Sequence, residues 1–298
     1  MSRIIFCLLV WACHLGRPMA FAQERNNANS TLSESDLLFV QHLMDSREFS
    51  DAILVLQAMK GAERHTAAKS DSIHLILGRA FYLQEKIDSS NKYFGLVRPE
   101  SALSTEAGIF LAFGKMYQSR NNEAEEQLKS MNPGDSVNLE FIGYMRAVNA
   151  LVSKDFSRYE ALSRNFRFHC RASEWEQKQL GFRAEEQKKN KRKSPWLAGA
   201  MSALLPGSGK FYAGYRGQAI ATLIPCLIFG AAGVESYFRS GPKSIPFIAS
   251  TSLFSLFYLG NIWGSAISVK TLYEQKDREI RHHLLLNVQV PMHRLFRQ

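Results

Sequence analysis

The sequence predicts an all-α protein: a helical hairpin array followed by a C-terminal transmembrane helical hairpin or a three-segment membrane domain. Three observations predict it. Through residues 33–170, apolar residues recur at helical spacing while Gly and Pro are sparse. Short polar turns in that region recur at intervals of 38, 34 and 35 residues. Residues 217–234 and 244–269 form uncharged stretches of 18 and 26 residues, and a helix needs about 20 to cross the hydrocarbon core of a bilayer. The 298 residues are 46% hydrophobic and 21% charged, which excludes collagen-like, low-complexity and disulfide-scaffold classes. A mean hydropathy of -0.19 excludes a chain that lies mostly in lipid.

Residues 1–22 read as a signal peptide. Arg3 supplies the positive start, an apolar run follows, and Ala20-Phe21-Ala22 places small residues where a signal peptidase cuts. An uncleaved anchor and a lipoprotein cut before Cys13 are the alternatives. Cleavage at Ala22 leaves Cys170 and Cys226, whose positions suit neither a disulfide nor a zinc site.

Residues 33–170 divide at four polar turns, around Ser46-Arg47, Glu85-Lys86, Ser119-Arg120 and Lys154-Asp155. Aligning the turns makes Phe49, Ile87, Asn121 and Phe156 equivalent. A single hairpin cannot bury its apolar stripe, so hairpins of this kind stack and share a core. Small residues let the helix axes approach. Ala52 after Phe49, Gly78 with Phe81, Gly114 with Tyr117, and Ala147 with Ala150 are the expected packing positions. This period and these pairs resemble the tetratricopeptide repeat. The repeat-ending Pro is missing, Asn121 replaces an apolar residue, and an unrelated helical bundle is the alternative. The resemblance implies a protein partner bound in a concave groove. Residues 171–193 read as a charged helical linker or a capping helix.

Residues 194–270 read as the membrane domain. The two uncharged stretches flank the short turn Arg239-Ser240-Gly241-Pro242-Lys243 and so form an antiparallel pair. An earlier stretch, 194–209, contains Pro206-Gly207, which breaks a helix. It is either a third span or a re-entrant hairpin, and a third span is favoured because it gives the basic tail a cytoplasmic place. The run Pro206, Gly207, Gly209, Tyr212, Gly214 resembles the Pro-Gly-x-Gly-x-x-Tyr-x-Gly signature of small bacterial membrane domains related to the two-transmembrane-helix domain family. Those families commonly have Gln at the position of Lys210. Glu235 and the segment from Tyr258 to Ala266 resemble bacterial tetratricopeptide proteins carrying this tail. Such domains are associated in some genomes with the membrane protein insertion efficiency factor family. Gly260 and Gly264 form a step that lets helices approach closely in lipid. Asn261 is costly in lipid unless it bonds to a neighbouring helix. The Pro206–Gly214 loop, with Lys210 and Glu235, either packs the hairpin or touches a lipid headgroup or substrate.

The net charge of +10 is concentrated in a basic run ahead of the apolar region. Lys188, Lys189, Lys191, Arg192 and Lys193 are therefore expected at lipid headgroups rather than on nucleic acid, with a solvated linker as the plainer reading. The leader places the repeats in the periplasm, whereas the basic run favours the cytoplasmic side. Residues 271–298 form a basic tail, expected either on the membrane surface through Leu284, Leu285 and Leu286 or frayed. No catalytic, cofactor or metal residues are assigned, since no P-loop, nucleophile elbow, dinucleotide fingerprint or zinc motif is present. The expected function is a non-enzymatic, membrane-tethered adaptor at the bacterial inner membrane, binding an unknown protein partner and membrane lipid with no small-molecule substrate. The alternative is a factor acting in the bilayer itself, in membrane protein insertion, envelope assembly or transport.

Overall fold

A computed structural model describes residues 34–61, 66–189 and 192–296. The signal-peptide reading of 1–22 and the headgroup reading of Lys191 lie outside the described residues. Those residues form thirteen helices and no strand. The chain divides into two compact units, Met1–Asn132 and Pro133–Gln298.

The first unit contains three helical hairpins: α1 (Glu34–Asp45) with α2 (Phe49–Gly61), α3 (Ala67–Leu83) with α4 (Ile87–Phe94), and α5 (Ser104–Tyr117) with α6 (Asn121–Ser130). Each hairpin turns in the same way. Arg47, Glu85 and Ser119 adopt φ of 62°, 61° and 66°. The amide after each bonds five residues back, as in Glu48 N to Leu43 O at 2.9 Å and Lys86 N to Phe81 O at 3.0 Å. This is the Schellman helix stop. It uses Arg, Glu and Ser where glycine is usual, at a conformational cost of about 1 kcal/mol each, so packing rather than turn chemistry holds the turns.

That packing is continuous through the unit. Val40, Ile53, Leu56, Met59, Ile73, Leu77 and Ala80 form one buried cluster. Phe94, Phe110 and Phe113 are buried beyond it, each contributing roughly 2–3 kcal/mol by burial. Gly78 marks a close crossing, because a Cβ there would lie 2.6 Å from the Phe94 ring. Gly114 marks another, with Asn91 Oδ1 2.0 Å from the position of a Cβ. Ala52 is fully buried, Phe49 and Phe81 partly so.

Tyr117 departs from the sequence expectation, being 53% exposed. The left-handed residues give the register: Ser119 follows Glu85 by 34 residues, so the equivalent of Gly78 is Ala112, which is fully buried. The Gly114–Tyr117 pair is thus two residues out of step. A further tie is the buried Asp71 carboxylate, 2.8 Å from the Arg98 guanidinium, which holds that carboxyl below its ordinary range.

The second unit opens with α7 (Ser136–Val152) and α8 (Phe156–Ser163). Lys154 repeats the left-handed turn at φ 59°, 35 residues after Ser119. Asp135 and Asp155 cap the two helices, accepting from Asn138 N at 2.7 Å and Arg158 N at 3.0 Å. Ala147 is fully buried and Phe156 half-buried. Then come α9 (Glu174–Lys189), α10 (Pro195–Leu204), α11 (Ser208–Ala213), α12 (Arg216–Ser240) and α13 (Ile245–Leu295). Pro195 starts α10 at a position where its missing N–H costs nothing, with Ser194 as cap.

Helix α13 runs unbroken for 51 residues, roughly 76 Å. Its first half pairs with α12 and its second half packs on α7. Leu284, Leu285, Val288 and Met292 are buried in the fold, so the described tail is neither frayed nor laid on a surface through Leu284 and Leu285. Tyr144 of α7 donates to the Asn287 carbonyl at 2.8 Å, and Arg294 reaches Glu176 of α9 at 2.9 Å.

Candidate functional site

Helices α12 and α13 are long and apolar enough to cross a membrane, with mean hydropathies of 1.7 and 1.4 in their most apolar windows. Only 17% and 6% of those windows is buried within the protein. Few residues of the two spans are buried: Ala219, Cys226 and Gly233 on α12, and Asn261, Ser265 and Val269 on α13. The two helices meet where Gly230 and Gly233 lie opposite Phe254 and Thr251 and where the Phe229 and Phe257 rings stack, while Ser265 and Val269 face α10 and α11. Outward face Leu227, Ile228, Phe238, Ile248, Leu256 and Trp263, all at least half exposed. Cys226 and Cys170 are free and buried.

Neither α10 nor α11 is long enough to cross a membrane as a single helix. They are 10 and 6 residues long and fold back on each other at Pro206-Gly207. Gly207 has φ +89°, and a Cβ on it would lie 2.5 Å from the Ala219 carbonyl oxygen. Gly209 is tighter still: its Cβ would fall 1.9 Å from Ala198 O and 2.5 Å from Ser202 Oγ. Here the backbones touch, and a buried polar chain fills the contact. Gly209 N donates to Ser202 Oγ at 3.0 Å, and Ser202 Oγ donates to Ser265 Oγ at 2.7 Å. Tyr258 Oη donates to Ala203 O, fixing the far end of α10 on α13.

Both ends of this segment meet at one level. Lys193 N donates to Tyr273 Oη at 2.8 Å, while the Lys193 ammonium reaches Tyr212 O and lies 5.1 Å from the Tyr212 ring centre. The two ends of the segment therefore lie side by side. Gly214 closes α11 at φ +99° with nothing near its Cβ position, so conformation alone requires glycine there.

Other motif residues lie apart. Glu235 is exposed and sits 3.4 Å from Arg239 on its own helix. Among the described residues no atom lies within 4 Å of the Cβ position of Gly260, and the nearest to that of Gly264 are Lys210 Cε and Nζ at 3.8 and 3.9 Å. Among the described residues no helix backbone crosses at the Gly260–Gly264 step. The close approach falls instead at Gly199, opposite Ile262 and Ala266. Asn261 is 2% exposed, and neither of its amide atoms has a hydrogen-bond partner among the described residues.

The basic run is largely engaged inside the chain. Lys188 pairs with Glu160 and lies 5.6 Å from the Phe156 ring centre. Lys189 pairs with Glu185 at 3.4 Å. Arg192 pairs with Asp277, which also takes Lys154 at 2.8 Å. Sequence reasoning missed Asp277 and Tyr273. Both lie in the polar half of α13, where one acidic and one aromatic residue look like ordinary solvated helix. No group of three or more metal-binding side chains occurs among the described residues.

No protein-family model, curated protein or solved structure matches this chain.

Proposed function

We propose that this chain is a membrane-tethered adaptor at the bacterial inner membrane, non-enzymatic, with α12 and α13 crossing the bilayer and α10–α11 dipping into it. The observation that carries this is the bare apolar surface of the two helices. Core helices of a soluble protein are covered by their own fold, while contiguous apolar surface of this extent marks a lipid or protein contact. The helical hairpins, read as tetratricopeptide-like repeats, bind the partner protein, and the exposed Leu38, Phe39 and Leu54 of the first hairpin are the candidate contacts.

With two crossings the linker before α10 and the tail after residue 270 share one side. We assign that side to the periplasm on the strength of the leader, because long exported domains translocate largely irrespective of charge. The Lys and Arg residues flanking the hairpin on that side pull the other way. The re-entrant pair and the unpartnered Asn261 favour a second reading, a factor that acts in the bilayer during insertion, assembly or transport.

Photo-crosslinkers separate the two readings in the intact chain in cells. At Leu38 and Leu54 the adaptor predicts one discrete protein adduct, and at Leu227 and Leu256 lipid adducts. Protein adducts confined to the membrane positions, with none at Leu38 or Leu54, would overturn the adaptor in favour of the second reading.

A further inference from the structure

The second unit carries a cationic pocket where the α7–α8 turn meets α13. Lys154, Arg278 and Arg281 line one cavity of about 250 Å³, with Val152 and Leu284 in its wall. That is many times the room one water needs. Lys154 and Arg278 are exposed, so the cavity opens outward, while Arg281 is half-buried. Burial pushes the Arg281 guanidinium below its ordinary range.

The acids nearby are committed elsewhere. Asp277, also in the lining, takes Lys154 at 2.8 Å and Arg192 as well. Glu274 sits 3.9 Å from Lys270. Glu186 and Glu279 line a neighbouring cavity that includes Lys276. Arg278 pairs with no carboxylate among the described residues. Four cations therefore meet one carboxylate, and a cleft lined by one sign of charge over apolar walls concentrates counter-ions. Guanidinium groups fork onto oxygen pairs, and the lysine adds a point charge. A phosphate group, with its several acceptor oxygens and high charge, suits this set.

We propose that this pocket binds a phosphate group, with Arg278 and Arg281 holding its oxygens and Lys154 balancing its charge. A phospholipid headgroup and a free phosphate share this chemistry. For the headgroup, distance along α13 is the constraint. Arg278 stands eight residues beyond Lys270, where the apolar stretch ends, or roughly 12 Å. Helical side chains lean toward the N-terminus, here toward the bilayer. A headgroup layer about 5–7 Å deep and a long basic side chain together cover that distance. The lipid source rests on the membrane reading of α12 and α13, whereas the phosphate assignment does not.

The test uses the full-length chain in vesicles of phosphatidylcholine and phosphatidylglycerol, scored first for flotation. A chain that fails to float contradicts the membrane reading, and the pocket is then tested in detergent with inorganic phosphate. Native mass spectrometry of the floated wild type should show phosphatidylglycerol retained. The Arg278→Gln, Arg281→Gln double variant should retain about tenfold less, having lost both forks. Arg278→Gln alone, a change at an exposed side chain, should shift retention the same way. Lys276→Gln removes an equal charge outside the pocket and should retain lipid as the wild type does. In detergent without phosphatidylglycerol, a saturable rise in melting temperature with inorganic phosphate, absent with chloride at equal ionic strength and absent in the double variant, would assign the free anion as a ligand. A wild type that holds neither lipid nor phosphate would overturn the proposal, as would equal binding by the double variant. An equal loss in Lys276→Gln would mean diffuse surface charge rather than a pocket, and would overturn it too.

Discussion

Gly209→Ala is expected to unseat α11 from α10, lowering stability by about 3 kcal/mol or more. The added methyl would overlap the Ala198 carbonyl oxygen at 1.9 Å and Ser202 Oγ at 2.5 Å. The hydroxyl can rotate, but a helix carbonyl cannot, so α10 and α11 must separate. Overpacking of this kind costs roughly 1–3 kcal/mol. Separation also breaks the Gly209–Ser202–Ser265 chain of hydrogen bonds, and each buried group left unbonded adds about 1–3 kcal/mol. Thermal unfolding in detergent, with protease cleavage after Lys210 as a local reporter, measures the effect. Gly260→Ala is the control, because nothing lies within 4 Å of its Cβ position, and it should change stability by less than about 0.5 kcal/mol. Wild-type melting by Gly209→Ala would mean that the two helices are not packed backbone to backbone.

The second large effect concerns the tail. Pro291 has no N–H, so the Asn287 carbonyl one turn earlier in α13 has no helical donor. Tyr144 supplies one at 2.8 Å. Burial pushes the Tyr144 hydroxyl well above its ordinary range, so it stays protonated and remains a donor across physiological pH. Tyr144→Phe should therefore destabilise the second unit by about 1–3 kcal/mol. Pro291→Ala restores the intrahelical N–H and should recover most of that loss in the Tyr144→Phe background. The double-mutant cycle on thermal unfolding should give a coupling of at least about 1 kcal/mol, whereas additive effects would show that the hydroxyl and the proline act separately. The same contact cautions against deleting the tail to isolate the repeats, because the buried faces of Leu284, Val288 and Met292 leave with it.

The helical hairpins are legible in the sequence because polar turns interrupt apolar periodicity at near-constant spacing. The left-handed residues Arg47, Glu85, Ser119 and Lys154 fall inside the expected turns at the same intervals. Individual packing pairs are less legible. Gly114 and Tyr117 copy the spacing of Gly78 and Phe81 but stand two residues out of register, and only the turn positions reveal it. The two long apolar helices follow from composition alone. The fold-back of α11 on α10 does not, since an apolar stretch of that length containing Pro206-Gly207 suits a kinked helix equally well. What decides is the backbone contact at Gly209, which no pattern of hydrophobicity encodes. The tail is ambiguous for a similar reason. Leu284, Leu285, Val288 and Met292 form an amphipathic stripe that suits a lipid surface as well as a protein face, and the complement to it, Tyr144, is 140 residues away from Leu284. The basic run shows that charge density identifies a region without identifying its partners, four of which are Glu160, Glu185, Asp277 and Tyr212.

Even-numbered crossing of the bilayer by α12 and α13 is measured most directly by dual-reporter fusions in the full-length chain. One reporter is placed at Leu180, one after Gln298 and one in the turn at Gly241. The Leu180 and C-terminal reporters should score on one face of the membrane and the Gly241 reporter on the other. Opposite faces for Leu180 and the C-terminus would require an odd number of spans, and a single face for all three would mean that neither helix crosses.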